Sequence, residues 1–184
     1  MRKLVGTSAV LALLGSAAMA TGLEIEVAGE ANGTVKIDLL EDVAPAHVAQ
    51  ITELAEEGAY DGVVFHRVID GFMAQTGDVQ FGRADGDTAR AGMGGSDKPD
   101  LEAEFSDIAY EKGVVGMARS QSPNSANSQF FIMFDEAPFL DGQYTVVGKV
   151  TEGQDVVDAI KRGTGPHGAV AGTPDVMQKV TVTE

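Results

Sequence analysis

Apolar and polar residues alternate along much of this chain, in short runs separated by turn residues. Residues 23–40 (LEIEVAGEANGTVKIDLL) contain two such runs, one on each side of Asn32-Gly33. Asn-Gly between alternating runs is the strongest short signal for a β-hairpin. The pattern therefore predicts two paired strands at the start of the folded part of the chain.

Two segments have helical spacing instead. In residues 44–58 an apolar stripe recurs every three to four positions, Pro45 suits a first turn and Gly58 suits the end of the helix. Residues 152–163 (EGQDVVDAIKRG) predict a second helix. The first stripe consists of Val48, Ile51, Leu54 and Ala55.

The remaining apolar runs predict further strands. GVVFHRVI (62–69) and FMAQTGD (72–78) indicate two strands joined at Asp70-Gly71, and other candidates lie within residues 113–120, 129–134, 145–150 and 177–184. A long Gly- and Asp-rich loop spans residues 79–101, and loops of this length are usually functional. About eight strands and two helices predict a mainly β domain over residues 21–184. We expect a closed eight-stranded antiparallel β-barrel with two capping α-helices.

The first 20 residues have the pattern of a secretory signal peptide. Arg2 and Lys3 precede an apolar stretch over residues 4–17, and the small-x-small sequence Ala18-Met19-Ala20 follows. A retained membrane anchor is the alternative, but the apolar stretch is shorter than the ~20 residues of a span and is interrupted at residues 6–8. We therefore expect cleavage near Ala20 and export to the periplasm or, alternatively, secretion.

The charge balance excludes two classes of partner. The chain has 13 Lys and Arg against 28 Asp and Glu, for a net charge of −15. Removing residues 1–20 takes away two basic residues and no acidic residue, and the net charge becomes −17. Such a surface repels phosphate backbones and anionic headgroups. We therefore expect no nucleic-acid partner and no binding to membranes.

Few residues offer metal, thiol or nucleophilic chemistry. The chain has no Cys, and its three His residues are too scattered for a metal site. Ser96 lacks the G-x-S-x-G context of a nucleophile. We expect His47 on the exposed face of the first helix and His66 to form a hydrogen bond within the sheet. No metal and no cofactor are predicted.

Arg67 is the residue that needs an explanation. It lies in a predicted strand on the same face as Phe65 and Ile69, and a guanidinium among apolar side chains is unfavourable without a partner or a task. Taken singly, Arg67 is interpreted as part of a structural ion pair, Phe131 as core and Met73 as a gap-filler. Taken together with the other unexplained residues, they indicate an apolar binding pocket with one guanidinium and one amide at its rim. Those other residues are Phe72, Gln75, Gln129, Phe130, Phe139 and Leu140.

Three motifs in order resemble those of a known family. FHRVIDGFMAQTGD (65–78), GVVGMARSQSPNSANSQFFIMF (113–134) and FLDGQYTVVGKVTEGQDVVDAI (139–160) are similar to the cyclophilin-type peptidyl-prolyl cis–trans isomerases, particularly the bacterial branch. The resemblance runs from about residue 23 to the C-terminus. It implies an eight-stranded antiparallel barrel with two helices. It also implies isomerisation of X-Pro bonds in unfolded or proline-containing polypeptides.

The resemblance also implies roles for individual residues. The matching positions for catalysis are Arg67, Phe72, Gln75 and Phe131. The matching positions for substrate binding are Met73, Ala118, Arg119, Phe139, Leu140 and Tyr144.

The chain departs from the eukaryotic cytosolic members at three positions. Arg119 replaces Asn, Phe139 replaces Trp and Tyr144 replaces His, and the bacterial branch resembles this chain at the first two. Because the Trp ring is part of the cyclosporin contact, we expect weak cyclosporin binding at most.

Two other interpretations of the pocket stay open, besides an isomerase that acts during the folding of exported proteins. The protein could be a proline-segment-binding or chaperone-like module with little turnover. It could also be a structural barrel without a pocket, if Arg67 were held in a buried ion pair. We expect a monomer.

Overall fold

The alternating segments form nine β-strands in the computed structural model, which describes residues 21–184. The predicted signal peptide, residues 1–20, lies outside the described residues. The strands are β1 (Gly22–Ala28), β2 (Gly33–Leu39), β3 (Val63–Val64), β4 (Arg67–Ile69), β5 (Met73–Thr76), β6 (Val114–Met117), β7 (Phe130–Met133), β8 (Val146–Glu152) and β9 (Val176–Thr183). The helices are α1 (Pro45–Glu56) and α2 (Gln154–Ala159), with three short 3₁₀ turns at Thr88–Arg90, Pro138–Leu140 and Pro166–Gly168.

All nine strands belong to one antiparallel sheet in the order β3-β9-β1-β2-β8-β6-β7-β5-β4. The edge strands β3 and β4 are consecutive in the chain, and only Phe65 and His66 separate them. A flat nine-stranded sheet would hold its edges about 38 Å apart, whereas three Cα–Cα steps reach at most about 11 Å. The sheet is therefore curled into a half-barrel that brings β3 and β4 together.

The predicted closed eight-stranded barrel was wrong in two respects. The sequence predicts one strand over residues 62–69, but the strand is interrupted at residues 65–66, so that β3 pairs with β9 and β4 pairs with β5. Among residues 21–184 no ladder joins β3 to β4, and the curled sheet stays open along that seam. Apolar periodicity reports which side chains are buried. It does not report which strand receives each backbone hydrogen bond.

The local predictions for the hairpins and helices are confirmed. β1 pairs with β2 and β4 pairs with β5, and Gly71 takes the positive φ of 67° that a tight turn requires. The first hairpin is wider than a two-residue Asn-Gly turn, because its last pair joins Val27 to Gly33 and leaves residues 28–32 as the loop. Gly58 ends α1 at φ 70°. Neither helix of residues 21–184 has the length and apolarity needed to cross a membrane.

Strand β7 is buried on both faces, which explains its unbroken apolar sequence. Phe130 and Ile132 point into the main core beneath α1. Phe131 and Met133 point the other way, into a smaller apolar group that we call the outer cluster. The buried residues of the outer cluster are Met73, Tyr110, Val114, Phe131, Met133, Ala137, Leu140 and Val146.

The N-terminus of α1 is capped by a residue distant in sequence. Ala44, at the N-cap position, offers no side-chain acceptor. The Glu104 carboxylate takes that role, accepting hydrogen bonds from the backbone N–H groups of Ala46 at 3.2 Å and His47 at 3.1 Å. It also lies 2.6 Å from Nδ1 of His47. The prediction that His47 is exposed was therefore wrong: its side chain is fully buried against Glu104.

The hydrogen bonds at Glu104 govern its titration. Burial alone would raise the pKa of the Glu104 carboxyl, but the hydrogen bonds from the His47 ring and from the backbone of His47 and Ala46 outweigh burial and lower that pKa. A carboxyl with a lowered pKa in the folded chain stabilises the fold above its unfolded pKa of about 4.3. That contribution disappears as the pH falls through the folded pKa.

We predict that Glu104→Gln lowers the free energy of unfolding by about 1–2 kcal/mol at pH 7, because an amide replaces the charged cap and the partner of His47. Urea unfolding at a series of pH values measures this difference. The gap between the two proteins should narrow below about pH 4, since the wild-type carboxyl is then protonated too.

Glu102→Gln is the matched control, because Glu102 is exposed two residues away in the same segment. It should change stability by less than about 0.5 kcal/mol. If the two variants were equally stable at pH 7, the tertiary cap would not stabilise α1.

Candidate active site

Arg67, Gln75 and Phe131 lie side by side across three neighbouring strands. Arg67 on β4 pairs with Gln75 on β5, and Gln75 pairs with Phe131 on β7. Directly opposed residues of antiparallel strands project from the same face of the sheet. Gly116 on β6 completes the row beside Phe131. Strand register thus places one guanidinium, one amide and one aromatic ring on the outer face of the curled sheet.

This row opens into a cavity of about 480 Å³. All ten residues that the sequence predicted for the site line this one cavity, and Gln143 is an eleventh lining residue. The ten are Arg67, Phe72, Met73, Gln75, Ala118, Arg119, Phe131, Phe139, Leu140 and Tyr144. The three separated motifs therefore converge on a single site.

Phe131 forms the floor of the cavity and is held by two aromatic rings. Its ring stacks on Tyr110 at 5.8 Å and meets the edge of Tyr144 at 6.0 Å. Gly116 leaves room for this arrangement, because a Cβ there would lie 2.6 Å from Cζ of Phe131 and would also collide with the Tyr110 hydroxyl. Offset stacking and edge contacts of this kind fix the position of the Phe131 ring.

The 3₁₀ turn Pro138–Leu140 supplies one wall and one lip of the cavity. Leu140 points inward and is only 6% exposed, whereas Phe139 is 70% exposed. The Phe139 ring lies 5.5 Å from the half-buried ring of Phe72 across the opening. Oδ1 of Asp141, just after the turn, accepts a hydrogen bond from the backbone N–H of Tyr110 at 2.7 Å. The wall is thereby tied to the residue beneath the floor.

Arg67 donates hydrogen bonds to two neutral oxygens. Its Nε donates to the backbone carbonyl of His167 at 3.0 Å, and its Nη1 donates to Oε1 of Gln75 at 3.0 Å. Among residues 21–184 no carboxylate forms an ion pair with the guanidinium, and Nη2 donates to no acceptor. The structural ion pair that would have explained Arg67 without a pocket is therefore not found in the described chain.

Two pKa shifts describe the electrostatics beside the cavity. Burial lowers the pKa of the Arg67 guanidinium from its usual value, while Tyr144 acts in the opposite direction. Burial also lowers the pKa of His66 to about 4; Asp78 opposes this shift, and the neighbouring charge of Arg67 adds to it. His66 is therefore neutral at pH 7 and does not repel Arg67. By strict geometry neither ring nitrogen has a hydrogen-bond partner, but weaker contacts with the Val64 backbone and the Gln129 side chain act to raise the pKa of His66. The predicted hydrogen bond within the sheet therefore stays a prediction.

Gln75 connects Arg67 to a loop through a chain of hydrogen bonds. Arg67 can only donate, so the Gln75 oxygen must face it and the Gln75 amide nitrogen must face away. That nitrogen donates to Oε1 of Gln129 at 2.9 Å, and Nε2 of Gln129 donates to the carbonyl of Gly94 at 2.7 Å. The direction of every hydrogen bond in this relay follows from the guanidinium.

Arg119 lines the cavity, but its own donors face backbone carbonyls. Nε and Nη2 donate to the carbonyl of Gln143, and Nη1 donates to those of Ser120 and Gln121. The guanidinium also covers the Tyr144 ring, with Cζ 4.3 Å from the ring centroid. Arg119 thus packs the wall formed by residues 143–144 against residues 119–121.

A second cavity of about 370 Å³ adjoins the first and shares Gln75, Ala118 and Arg119 with it. Apart from Met93, the rest of its lining consists of polar residues and glycines from the 92–100 and 120–129 loops. Part of the long loop predicted over residues 79–101 therefore borders the site. In the described part of the chain, no group of three or more His, Asp or Glu side chains is placed to hold a metal ion.

Two residues that the sequence grouped with the pocket do not line the first cavity. Gln129 borders the adjoining cavity, whereas Phe130 faces the opposite way and is buried in the main core. Two other residues around the cavity were not predicted as site residues. Gln143 gives no signal in the sequence, because it lies in an ordinary polar turn. His167 contributes through its carbonyl, which every residue possesses, so its side chain gives no indication of the contact.

Comparisons with known proteins agree with this geometry. A family model described as cyclophilin type peptidyl-prolyl cis-trans isomerase/CLD matches residues 23–184. A probable peptidyl-prolyl cis-trans isomerase of Brucella suis biovar 1 is 61% identical over 153 residues, covering 82% of this chain and 78% of that protein.

Two solved structures are similar in fold. The crystal structure of the cyclophilin AquaCyp293 from Hirschia baltica has a TM-score of 0.70 and 28% identity, covering 87% of this chain and 73% of the other. A cyclophilin type isomerase of Cryptosporidium parvum, crystallised in the presence of the dipeptide Ala-Pro, has a TM-score of 0.73 and 24% identity, covering 89% and 99%. With its cavity, its three motifs and a family match over nearly all described residues, this chain belongs to the cyclophilin-type peptidyl-prolyl cis-trans isomerases.

Proposed function

We propose that this isomerase turns X-Pro bonds by a non-covalent mechanism in which Arg67 stabilises the twisted prolyl amide, and that it acts on exported proteins. The observation that supports this mechanism is the position and hydrogen bonding of the Arg67 guanidinium. Its guanidinium lies at the rim of an apolar cavity and is held by two neutral oxygens, and its Nη2 group has no protein acceptor in residues 21–184. The orientation of the guanidinium is thus fixed, and its Nη2 group is available to donate a hydrogen bond to a ligand.

The reaction creates an acceptor for such a donor. Rotation about an X-Pro bond breaks amide resonance and crosses a barrier of about 18–20 kcal/mol. At the half-turned geometry the prolyl nitrogen becomes pyramidal and regains a lone pair. A guanidinium aimed at that nitrogen binds the transition state and not the planar ground state. Only such differential contacts accelerate the step.

The hydrogen bond from Arg67 accounts for only part of the rate acceleration, and the rest of the cavity must supply the remainder. A charge-assisted hydrogen bond of roughly 1.5–3 kcal/mol accelerates the rotation about ten- to a hundredfold. The remainder comes from holding the proline ring over Phe131, between Phe72, Met73 and Leu140, where water is excluded. Gln75 has a second amide hydrogen besides the one donated to Gln129, and this hydrogen is available to the rotating carbonyl.

The substrates follow from the same chemistry. An apolar cavity with a guanidinium rim suits proline-containing segments of unfolded polypeptides. The dipeptide Ala-Pro was present with the Cryptosporidium protein, and we extend that ligand class to this chain on the basis of its family. A module that only holds proline segments would not need a fixed donor at the rim, so the contacts of Arg67 favour turnover over simple binding.

Export is proposed from the first 20 residues and from the charge. The basic start, the apolar stretch and Ala18-Met19-Ala20 form a signal-peptide pattern, and the remaining chain carries a net charge of −17. The clients would then be exported proteins, in the periplasm or outside the cell.

We also propose a monomer, because the exposed large apolar side chains of the described chain are scattered and two of them edge cavities. They are Met93, Phe105 and Phe139.

We predict that Arg67→Ala lowers kcat/KM about ten- to a hundredfold in a protease-coupled assay on an X-Pro peptide, because the transition state loses its charged donor. Arg67→Lys should also be impaired, since a point charge does not reproduce a planar fork that bonds in two directions. The free energy of unfolding, measured in urea, should change by about 1 kcal/mol or less.

Arg83→Ala is the matched control, because Arg83 does not line the cavity. It should retain wild-type kcat/KM. Full activity in either Arg67 variant would show that the guanidinium does not stabilise the transition state.

We predict that expression of the full chain in a Gram-negative host yields a periplasmic protein whose mass corresponds to a start at Thr21. Ala18→Asp together with Ala20→Asp should block processing and leave the longer chain, because the cleavage site requires small residues. Thr21→Ser lies outside that site and should be processed normally. A full-length wild-type chain recovered in the membrane fraction would instead support a retained anchor.

We predict weak inhibition by cyclosporin, because Phe139 replaces the Trp ring that contacts this ligand in eukaryotic cytosolic relatives. In the same peptide assay, half-inhibition should require cyclosporin far in excess of the enzyme concentration. Stoichiometric inhibition at enzyme concentrations below one micromolar would contradict this prediction.

A further inference from the structure

One turn far from the three motifs reaches the guanidinium of Arg67. Residues 163–172 connect the region after α2 to β9, and they contain the 3₁₀ turn Pro166–Gly168. Within residues 21–184, His167 is the only non-glycine residue with a positive φ, at φ 57° and ψ 22°. This is the left-handed region, which costs free energy for a residue with a Cβ. A strained conformation that persists must be fixed by its surroundings.

The surroundings of this turn are the strand that carries Arg67. The backbone N–H of Gly163 donates to the carbonyl of Val68 at 2.8 Å, and that of Val170 donates to the carbonyl of His66 at 3.0 Å. Ala169 forms an isolated β-bridge with Arg67 itself. The turn is therefore anchored by its backbone on both sides of Arg67.

The left-handed conformation determines where the His167 carbonyl points. The peptide between residues 167 and 168 is oriented by ψ of His167 and φ of Gly168, and Gly168 also has a positive φ, of 83°. A Cβ at Gly168 would collide with the Ile69 side chain, so only glycine fits there. With both residues in this conformation, the His167 carbonyl accepts the Nε–H of Arg67 at 3.0 Å.

The His167 side chain does not account for the conformation. It is exposed and forms no hydrogen bond with any part of the described chain. His, like Asn and Asp, is among the non-glycine residues that tolerate the left-handed region. The contribution of this position is therefore made by its backbone.

We propose that His167 is a positioning residue for the isomerase reaction, whose left-handed backbone aims a carbonyl at Nε of Arg67 and so fixes the plane of the guanidinium. The guanidinium is planar, and hydrogen bonds hold it at two atoms, Nε by His167 and Nη1 by Gln75. These two contacts prevent its plane from turning relative to the sheet. Its Nη2 edge then stays directed away from both anchors. This inference rests on the proposed role of Arg67 in the mechanism.

The test uses the peptide assay on three variants of the turn. His167→Val should lower kcat about three- to tenfold with little change in KM, because a β-branched residue disfavours the left-handed region and removes one hydrogen bond from Arg67. His167→Asn tolerates that region and should recover most of the activity. Thr164→Val is the matched control, since Thr164 is exposed in the same segment and forms no hydrogen bond with Arg67.

A double variant distinguishes positioning from general damage. In an Arg67→Ala background, His167→Val should cause no further loss of kcat, because its effect acts through the guanidinium. An equal loss in both backgrounds would overturn the proposal. So would an Asn variant as impaired as the Val variant, which would assign the effect to the imidazole, and so would a fully active Val variant.

A measurement on the wild-type protein covers the case in which His167→Val does not fold. By NMR, the Nε–H of Arg67 should exchange with solvent more slowly than that of Arg90, whose Nε donates no hydrogen bond within residues 21–184. Equal exchange rates would overturn the proposal. If Arg67→Ala were fully active while Arg67 Nε–H stayed protected, the proposed mechanism would fail and the positioning contact would stand.

Discussion

The site depends on a half-buried guanidinium that has no carboxylate partner within residues 21–184. The chain contains 28 acidic residues, yet Arg67 donates to a backbone carbonyl and to an amide oxygen. A carboxylate at either position would neutralise the charge and take donors that the proposed mechanism assigns to the twisted amide. Neutral acceptors fix the orientation of the group and leave its charge in place. The cost of burying that charge is visible in the lowered pKa of Arg67.

The register of the antiparallel strands brings residues that are distant in sequence together at the site. Arg67 and Phe131 are 64 positions apart in sequence, but each is opposite Gln75 on β5. The same register places Gly116 next to Phe131, where a larger residue would collide with the ring. Because the main core lies on the other face of these strands, the outer face is free to hold a cavity without exposing the core.

The sequence predicted those parts of the molecule that depend on side-chain pattern. The stripe of α1, the turn at Gly71 and the convergence of the ten site residues follow from periodicity, turn chemistry and three motifs. The split of residues 62–69 into two strands was missed, since it depends on which neighbour accepts each backbone hydrogen bond. The burial of His47 was missed as well, because the carboxylate that pairs with Nδ1 of its ring lies 57 residues away. The contact between Arg67 and the His167 carbonyl could not be predicted from the sequence, since the acceptor is a backbone group that every residue possesses.

Contacts within the fold therefore set the orientation of Arg67. On one side a backbone-anchored turn holds Nε; on the other, Gln75 and Gln129 connect Nη1 to the carbonyl of Gly94. Gly94 is itself fixed, because its N–H donates to the buried carboxylate of Asp78 at 2.9 Å. Both ends of the network are thus tied to backbone groups of the chain itself. In the proposed mechanism, a donor fixed in this way requires little reorganisation at the transition state, which is the condition under which one hydrogen bond contributes most to rate.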